Sequence, residues 1–231
     1  MKNFFRCQVC GSSESRLVID MGLTPLVNTL PPIDLDPPVD GIYDLVLIQC
    51  EACTLVQLRF APDMKSVFPE SYPYLSGLTT PLVKNFQSQA SDVVSFLKEK
   101  LPKKKYKVLD VGSNDGSLLQ CYLDLDCDVY GIEPTQAADV ANVNGIKTLK
   151  AYFDSQSVAK AISEIGKVSL VTATNVFAHI PNPVQILSNI SEILEDEGLF
   201  VSENHYLPDL IDQLQIDTIY HEHLRYYTVV S

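Results

Sequence analysis

The sequence is poor in basic residues and has neither a long apolar run nor an apolar leader. Its 231 residues hold 17 Lys and Arg against 29 Asp and Glu, a formal net charge of −12. Such an excess of negative charge disfavours binding to phosphate backbones and anionic lipid surfaces. No run approaches the roughly 18 apolar residues of a membrane helix, and the first residues, MKNFFRCQVC, lack the apolar core of a signal peptide. We therefore expect a cytoplasmic protein whose partners include neither nucleic acid nor membrane.

The composition is that of a folded protein. Apolar residues make up 46% of the chain and charged residues 20%, with only 14 prolines. A chain of this length and composition can bury one good core and a smaller appendage. A disordered chain is thereby excluded.

Four of the six cysteines form two C-x-x-C pairs. Cys7 and Cys10 make the first pair and Cys50 and Cys53 the second, while the other two lie far along the chain. In a reducing compartment such thiols remain available as metal ligands, and each two-residue gap lets a tight turn aim both sulfurs at one tetrahedral ion. Four thiolates leave no open position for chemistry, so the pattern predicts structural zinc; the alternative is four buried thiols.

The loop between the pairs is long enough to carry structure of its own. Residues 16–20 and 43–49 have the pattern of short strands, and the proline-rich LPPIDLDPP at 30–38 predicts an extended connector between them. We expect a zinc-binding module over residues 1–70.

Strands and helices alternate from residue 80 onward. Apolar residues at helical spacing follow Thr80-Pro81, with proline in the first turn. Buried strands are predicted at 107–111, 128–132, 148–151, 168–173 and 199–203, with helices from 135, over 155–165 and over 182–195. The pattern predicts a doubly wound α/β domain over residues 71–231.

The segment GSNDGS follows the first strand of this domain, where doubly wound sheets bind nucleotides. A dinucleotide fingerprint needs a second glycine there, but this chain has Asn114, with Asp110 and Asp115 close by. Carboxylates repel a pyrophosphate and suit a positively charged cofactor without phosphate, which describes S-adenosylmethionine. NAD and an ordinary tight turn are the alternatives.

Later strand ends add candidates for the same cofactor. Glu133 ends the second strand, where an acidic residue holds two ribose hydroxyls. Asp154 follows the third strand and is a candidate for the adenine amine, and Asn175 follows the fourth and is a candidate for the methionine part. Together with Asp110, Asn114 and the loop glycines Gly112 and Gly116, these residues form the predicted cofactor site.

All four histidines lie after the predicted fourth strand. They are His179, His205, His221 and His223, and the last three are accompanied by several tyrosines and by Glu222. A single histidine at such a place is more often a satisfied surface group, and tyrosine-rich stretches are more often core. The clustering nevertheless indicates a site for proton transfer.

These motifs together carry a family resemblance. The paired C-x-x-C module, then LDVGSNDGSLL, IEP, NVFAHI and DTIYHEHLRYY, resembles the sugar C-methyltransferase family over essentially the whole chain. GSNDG and YHEH are its most specific motifs. The resemblance implies a class I methyltransferase (Rossmann-like) fold, S-adenosylmethionine as cofactor, structural zinc, and methylation of a carbon of a nucleotide-linked keto-deoxysugar.

The resemblance also implies roles for individual residues. Carbon becomes a nucleophile only after a proton next to the ketone is removed, so the site needs a base and donors for the enolate oxygen. The family motif implies that His223 is the base, that Tyr220 and Glu222 orient it or stabilise the enolate, and that His179 assists from the opposite wall. It also implies that a tyrosine of SYPYLSG lines the substrate pocket, with Tyr74 as the candidate and Tyr72 as the alternative.

A metal site in the HEH segment is an alternative, because His221 and His223 would share one face of an extended strand. The helical H-E-x-x-H spacing is absent, which disfavours it.

The chain differs from the family in one respect: the family pattern continues past Ser231. We therefore expect a C-terminally truncated domain, with a final strand over 226–230 that could pair with another copy of the chain. A catalytically impaired remnant that binds cofactor or a protein, and a small-molecule O- or N-methyltransferase, are the alternative functions.

Overall fold

The computed structural model describes residues 2–3, 6–28, 33, 41–103 and 105–231. Contacts divide the chain into two compact units. Unit 1 comprises Met1–Pro69, Phe177–Val184 and Asn204–Ser231, and unit 2 comprises Glu70–Val176 and Gln185–Glu203. The domain limits at 1–70 and 71–231 stay a prediction, and of the predicted proline-rich connector at 30–38 all but residue 33 lies outside the described residues.

Strands and helices are numbered in chain order through both units. The strands are β1 (Lys2–Asn3), β2 (Ser15–Pro25), β3 (Ile42–Cys50), β4 (Val56–Leu58), β5 (Phe60–Ala61), β6 (Lys107–Val111), β7 (Asp128–Glu133), β8 (Thr148–Lys150), β9 (Val168–Thr174), β10 (Leu194–Glu203) and β11 (Arg225–Tyr226). The helices are α1 (Met64–Val67), α2 (Thr80–Lys100), α3 (Ser117–Asp124), α4 (Ala137–Val143), α5 (Ser155–Ile165), α6 (Pro183–Ile193) and α7 (Leu207–Asp212).

Unit 2 contains a five-stranded parallel sheet in the order β10-β9-β6-β7-β8. Its central strand is buried almost throughout, because a parallel sheet covered by helices excludes water from both faces. Helix α2 buries Phe86, Ala90, Val94 and Leu97 at helical spacing, and all four belong to the main core. The predicted doubly wound α/β fold is confirmed.

Local signals fix several element ends in unit 2. Asp154 caps α5 through a reciprocal pair of hydrogen bonds with Ser157, and Gly166, at a φ of 73°, ends the same helix. The structure matches the bounds predicted for β6 and α5 and differs by one or two residues for most of the others. No helix in the described part of the chain is both long and apolar enough to cross a membrane.

Unit 1 contains an antiparallel sheet in the order β11-β4-β3-β2 and a short β1-β5 pair. Its core combines residues that are far apart in sequence. Leu45, Leu47 and Leu58 of the N-terminal strands pack with Leu224 and Tyr226 near the C-terminus. The last segment of the chain is therefore part of the same core as the first strands.

The predicted strand over 226–230 is wrong. The strand is limited to Arg225–Tyr226, and it pairs antiparallel with β4 in unit 1 rather than extending the parallel sheet of unit 2. Local hydrogen bonds replace a ladder after it, since Thr228 N donates to Ser231 Oγ (3.0 Å) and Val230 N to Thr228 Oγ1 (3.2 Å). Self-association through a C-terminal edge stays a prediction.

Replacing Leu224 tests whether the C-terminal segment stabilises the N-terminal sheet. Leu224 is fully buried, so Leu224→Ala is expected to cost about 2–5 kcal/mol. Val230 is 83% exposed, so Val230→Ala is a matched control expected to stay within about 0.5 kcal/mol. Hydrogen exchange followed by mass spectrometry measures the effect of both substitutions. Faster exchange in β3 and β4 is expected for Leu224→Ala only. Unchanged exchange there would contradict the packing, and peptides from β6 report any general loss of fold.

Candidate functional site

The four predicted metal ligands lie together in unit 1. The Sγ atoms of Cys7, Cys10, Cys50 and Cys53 all lie within 4.8 Å of one another, and the Cys7–Cys53 and Cys10–Cys50 sulfur pairs are 3.6 Å apart. Zinc–sulfur bonds of about 2.3 Å in a tetrahedron require sulfur separations of about 3.8 Å. The residues present therefore fit a four-thiolate zinc centre.

Both C-x-x-C segments form the same turn. Gly11 N donates to Cys7 O (3.1 Å) and Thr54 N donates to Cys50 O (3.0 Å). The residue after each pair has a positive φ, 75° at Gly11 and 64° at Thr54. A β-branched side chain is strained in that region, by roughly 1–2 kcal/mol, so the surrounding contacts hold the second turn in place.

The pKa values of Cys50 and Cys53 are shifted in opposite directions. Burial opposes ionisation of Cys50, but backbone N–H groups of Cys53 and Ala52 and the thiols of Cys10 and Cys53 lower its pKa to about 7. Burial and the neighbouring thiols raise the pKa of Cys53 to about 12. Zinc binds thiolates, so its binding to these cysteines releases protons.

The GSNDGS loop of unit 2 needs both of its glycines. Gly112 has a φ of 65°, and a Cβ there would lie 2.7 Å from Val176 Cγ2. Gly116 has a φ of 82°, and a Cβ there would lie 3.0 Å from Ile146 Cβ. Any other residue would strain the backbone and displace a neighbour at both positions.

Asn114 and Asp115 of this loop bind the segment before α2. Ser76 N donates to Asn114 Oδ1 and Gly77 N to Asp115 Oδ2, both at 2.8 Å. Asn114 Nδ2 in turn donates to Tyr74 O at 3.0 Å. These contacts give Asn114 a structural role at the position where a dinucleotide loop has its second glycine. They also fix the backbone of Tyr74, a residue that is 44% exposed.

Asp110 and Glu133 lie at the ends of adjacent strands and are both buried. Burial, together with the charge of Glu133, raises the pKa of Asp110 to about 7. A hydrogen bond from Thr172 Oγ1 (2.6 Å) acts in the opposite direction. The Glu133 carboxylate accepts from Asn114 N (3.0 Å) and Thr135 N (2.9 Å), which ties the loop to the end of β7. Buried acids beside two required glycines fit the cationic, phosphate-free cofactor predicted from the sequence.

The remaining cofactor candidates have local partners. Asp154 accepts from Gln156 N (3.0 Å) and Ser157 N (2.9 Å) as the cap of α5. Asn175 has a φ of 56°, and its Nδ2 donates to Glu203 Oε1 at 3.4 Å. Their contacts with a cofactor stay predictions.

Glu203 is a partly buried acid without a predicted role. Besides Asn175, it accepts hydrogen bonds from Asn85 Nδ2 (2.9 Å) and Gln89 Nε2 (3.3 Å) of α2. Its position at the end of β10 could have identified it as a candidate from the sequence, because side chains at the carboxyl ends of parallel strands meet at one edge of the sheet.

Three of the four histidines form a cluster in unit 1. The ring of His223 lies 4.4 Å from that of His205 and 5.0 Å from that of His179, centroid to centroid. Tyr220 (4.3 Å) and Tyr226 (6.1 Å) surround the same imidazole. Three predicted residues, His179, Tyr220 and His223, are therefore brought together.

Hydrogen bonds assign the tautomers of two of these rings. His223 Nδ1 lies 2.7 Å from Thr218 O and His179 Nδ1 lies 2.7 Å from Glu222 O. A carbonyl only accepts, so Nδ1 carries the proton in both rings. Nε2 of His223 is then the acceptor for the Tyr220 hydroxyl at 3.2 Å.

The cluster keeps its central imidazole neutral. Burial, followed by the neighbouring rings of His179 and His205, lowers the pKa of His223 to about 3. Burial also lowers the pKa of His205. Below neutral pH these rings resist the protonation that free histidine undergoes.

His205 is a cluster member without a predicted role. Its Nε2 is buried and has no hydrogen-bond partner among the described residues. The clustering of all four histidines late in the chain was the signal that could have identified it.

The interpretation of His221 and His223 as neighbours on one strand face is wrong. Residues 221–222 form a turn, and His221 Nε2 lies 3.2 Å from Asp44 O while its ring contacts Tyr43 at 5.8 Å. Within the described ranges, the metal-capable group consists of the four cysteines.

Glu222 contacts the histidine cluster through its backbone carbonyl. Its carbonyl accepts from His179 Nδ1, and its carboxylate accepts a hydrogen bond from Asn28 Nδ2. The structure thus ties His179 to this residue.

Two family models match the chain. Residues 82–231 match the model described as "Methyltransferase domain", and residues 7–68 match the model described as "Putative zinc binding domain". The second match covers all four clustered cysteines, so the expectation of a zinc-binding module is confirmed.

Two protein relatives span different shares of the chain. C-methyltransferase NovU of Streptomyces niveus is 29% identical over 227 residues, which is 97% of this chain and 53% of NovU. A ubiquinone biosynthesis O-methyltransferase of Cupriavidus pinatubonensis is 31% identical over 100 residues, 42% of this chain and 40% of that protein. The chain spans about half the length of these curated relatives or less.

Solved structures share the fold. The plantazolicin methyltransferase BpumL, in complex with a pentazolic analogue and SAH, is 19% identical, with a TM-score of 0.51 over 64% of this chain and 57% of that one. The complex of the same enzyme with a triazolic analogue and SAH gives 18% identity and a TM-score of 0.51 over the same shares. The predicted class I methyltransferase fold is confirmed.

Loss of one cysteine ligand is expected to remove zinc and loosen unit 1. The purified chain should hold one zinc ion, and Cys50→Ser should lower that content because Cys50 is a buried ligand. Elemental analysis measures zinc, and hydrogen exchange in β3 measures the loosening. Cys127→Ala, in the core of unit 2, is the control and should keep the zinc. A zinc content in Cys50→Ser equal to that of the parent chain would refute the assignment of Cys50 as a ligand.

The buried histidines make the stability of unit 1 depend on pH. The pKa of His205, His221 and His223 is lowered from the usual 6.5, so below that pH the unfolded chain binds more protons and stability falls. For His223 the loss continues down to about pH 3. NMR of the imidazole C–H signals, assigned with His223→Gln, should show no titration of His223 near pH 6.5. A midpoint near 6.5 would contradict its burial.

Proposed function

The chain belongs to the methyltransferase domain family, and from that premise we propose that it transfers a methyl group from S-adenosylmethionine to a carbon atom of a nucleotide-linked keto-deoxysugar. The family match covers residues 82–231. The choice of carbon is supported by the likeness to NovU, a C-methyltransferase, over 97% of this chain.

The strand ends of unit 2 are the proposed cofactor site. Gly112 and Gly116 shape the loop, Asn114 and Asp115 brace it, and Glu133 lies where an acid can hold ribose hydroxyls. Asp154 and Asn175 are proposed for the adenine and methionine parts. When bound, S-adenosylmethionine supplies a methyl group activated by its positively charged sulfonium. The acidic surroundings suit that charge, which supports this cofactor over a pyrophosphate-containing one.

One observation carries the choice of reaction: imidazole and phenol side chains surround His223. An oxygen or nitrogen acceptor already has a lone pair, whereas a carbon acceptor must first lose a proton. A cluster that can accept a proton and donate hydrogen bonds to an enolate oxygen suits the carbon reaction.

The hydrogen bonds suggest how the cluster divides these tasks. His223 donates through Nδ1 to Thr218 O, so its Nε2 carries the lone pair that would take the proton. The Tyr220 hydroxyl lies 3.2 Å from this nitrogen and would donate to the enolate oxygen once Nε2 is protonated. The negative enolate would then favour the imidazolium that burial alone disfavours.

The other predicted residues have supporting roles. His179 is oriented by the carbonyl of Glu222 and would assist from a second side of the substrate. Tyr74, whose backbone is held by Asn114, would contact the sugar. The nucleotide-linked sugar is the partner of this proposed reaction.

A second candidate is methylation of an oxygen or nitrogen of a small molecule. The likeness to a ubiquinone biosynthesis O-methyltransferase over 42% of the chain favours it. A cofactor-binding or protein-binding remnant without turnover is a further alternative.

Isotope exchange distinguishes these functions. In D2O, with S-adenosylhomocysteine and no methyl donor, the chain is expected to introduce deuterium next to the ketone of a nucleoside-diphosphate-linked 4-keto-6-deoxyhexose. His223→Gln should abolish exchange because it removes the base, and Tyr220→Phe should slow it by about 10²-fold or more because it removes an oxyanion donor. Proton NMR of the sugar measures the rate.

His221→Gln is the matched control, because His221 lies in the same motif but contacts Asp44 O outside the cluster. It should keep the parent exchange rate. Calorimetric titration with S-adenosylhomocysteine tests the cofactor site separately. Cofactor binding without exchange in the parent would contradict the carbon reaction and favour the alternatives.

A further inference from the structure

Arg225 is a fully buried cation whose hydrogen-bond partners are all uncharged. Its Nε donates to Tyr227 Oη (2.7 Å), Nη1 to Gln8 Oε1 (2.6 Å) and Nη2 to Phe177 O (2.9 Å) and to Ile180 O. Among the described residues, its guanidinium has no carboxylate partner. A buried charge without a counterion is strongly unfavourable, so a negative group is expected nearby.

The four-cysteine centre is the candidate for that negative group when zinc is bound. Zinc with four thiolates carries a net charge of −2. Gln8, which accepts from Arg225, lies inside the first C-x-x-C turn. Tyr227, a second partner of Arg225, packs against Cys7, Cys50 and Leu55. Cys7 also acts on Arg225 electrostatically, in the direction that favours the charged guanidinium.

The other side of the guanidinium holds the segment that carries His179. Phe177 O and Ile180 O both accept from Nη2, and His179 lies between these two residues in sequence. His179 then contacts Glu222 O through Nδ1 and the ring of His223 at 5.0 Å. One side chain thus joins the turn of the first cysteine pair to the histidine cluster.

We propose that Arg225 is a positioning residue that couples the zinc centre to the histidine cluster. Its guanidinium balances the charge of the zinc tetrathiolate and fixes the carbonyls on both sides of His179. Zinc binding therefore stabilises the arrangement of the cluster, and by linkage the intact arrangement strengthens zinc binding. The zinc does more than fold the N-terminal module.

Two variants of the full chain separate the effect of the charge of Arg225 from the effect of its guanidinium geometry. Arg225→Gln removes the charge, and Arg225→Lys keeps it without the guanidinium fork. Zinc affinity, measured by competition with a chromophoric chelator, should fall about tenfold or more in Arg225→Gln and less in Arg225→Lys. Arg16→Gln is the control, because Arg16 is an exposed arginine of the same unit bonded to Gln49, and its zinc affinity should match the parent.

NMR of the histidine side chains tests the coupling itself. Removing zinc from the parent should shift the signals of His179 and His223, and Arg225→Gln should lose most of that response. The proposal is overturned if Arg225→Gln binds zinc as tightly as the parent, or if its histidine signals respond to zinc as the parent's do.

Gln8→Ala keeps the test decisive should Arg225→Gln fail to fold. It removes the link between the cysteine turn and Arg225 while the buried charge stays. Zinc affinity should then fall by less than in Arg225→Gln, whereas the zinc response of the His179 signal should shrink; an unchanged response would refute the contact path. None of these measurements requires turnover, so their outcome is independent of the proposed methyl transfer.

Discussion

The packing of residues 224–226 against the N-terminal strands is the constraint on which the arrangement of unit 1 depends. Strand β11 pairs with β4 through two residues only, Arg225 with Gln57 and Tyr226 with Val56. Closing so long a loop has an entropic cost that two ladder positions do not offset. Burial of the apolar side chains of Leu224 and Tyr226, each at most 1% exposed, supplies the rest. Because these residues follow His223 directly, the same packing sets the histidine cluster on the unit that holds the cysteines.

Local signals made much of the fold predictable. Strand β6 is a short apolar run, and α5 has a capping aspartate at one end and a glycine at the other, so both could be located from neighbouring residues alone. The C-terminal strand could not. Its sequence, YYTVV, is typical of a strand, but Thr228 and Ser231 form local hydrogen bonds and the pairing partner lies far back in the chain. A propensity describes residues in isolation, whereas this pairing depends on a distant surface.

The candidate site shows the same division. The C-x-x-C spacing was enough to predict that the four cysteines lie together, because the geometry of metal ligands restricts which sequence patterns can bind a metal. The direction in which each side chain points was harder to predict from the sequence. Asn114 and Asp115 turned out to brace residues 74–77, and His221 lies against Asp44 rather than beside His223, since each orientation is decided by contacts with other elements. The sequence thus identified the chemical groups, and tertiary packing decided which of them meet.

The discontinuity of unit 1 has a consequence for synthesis on the ribosome. The nascent chain completes Leu45, Leu47 and Leu58 long before Leu224 and Tyr226, which cover them in the finished core. At a translation rate of about 5–20 residues per second, that interval is roughly 10–30 seconds. During it, an apolar sheet surface and the open edge of β4 are exposed to other chains. All four cysteines of the C-x-x-C pairs have already been synthesised by then, so metal can bind to them before the residues that complete this core are made.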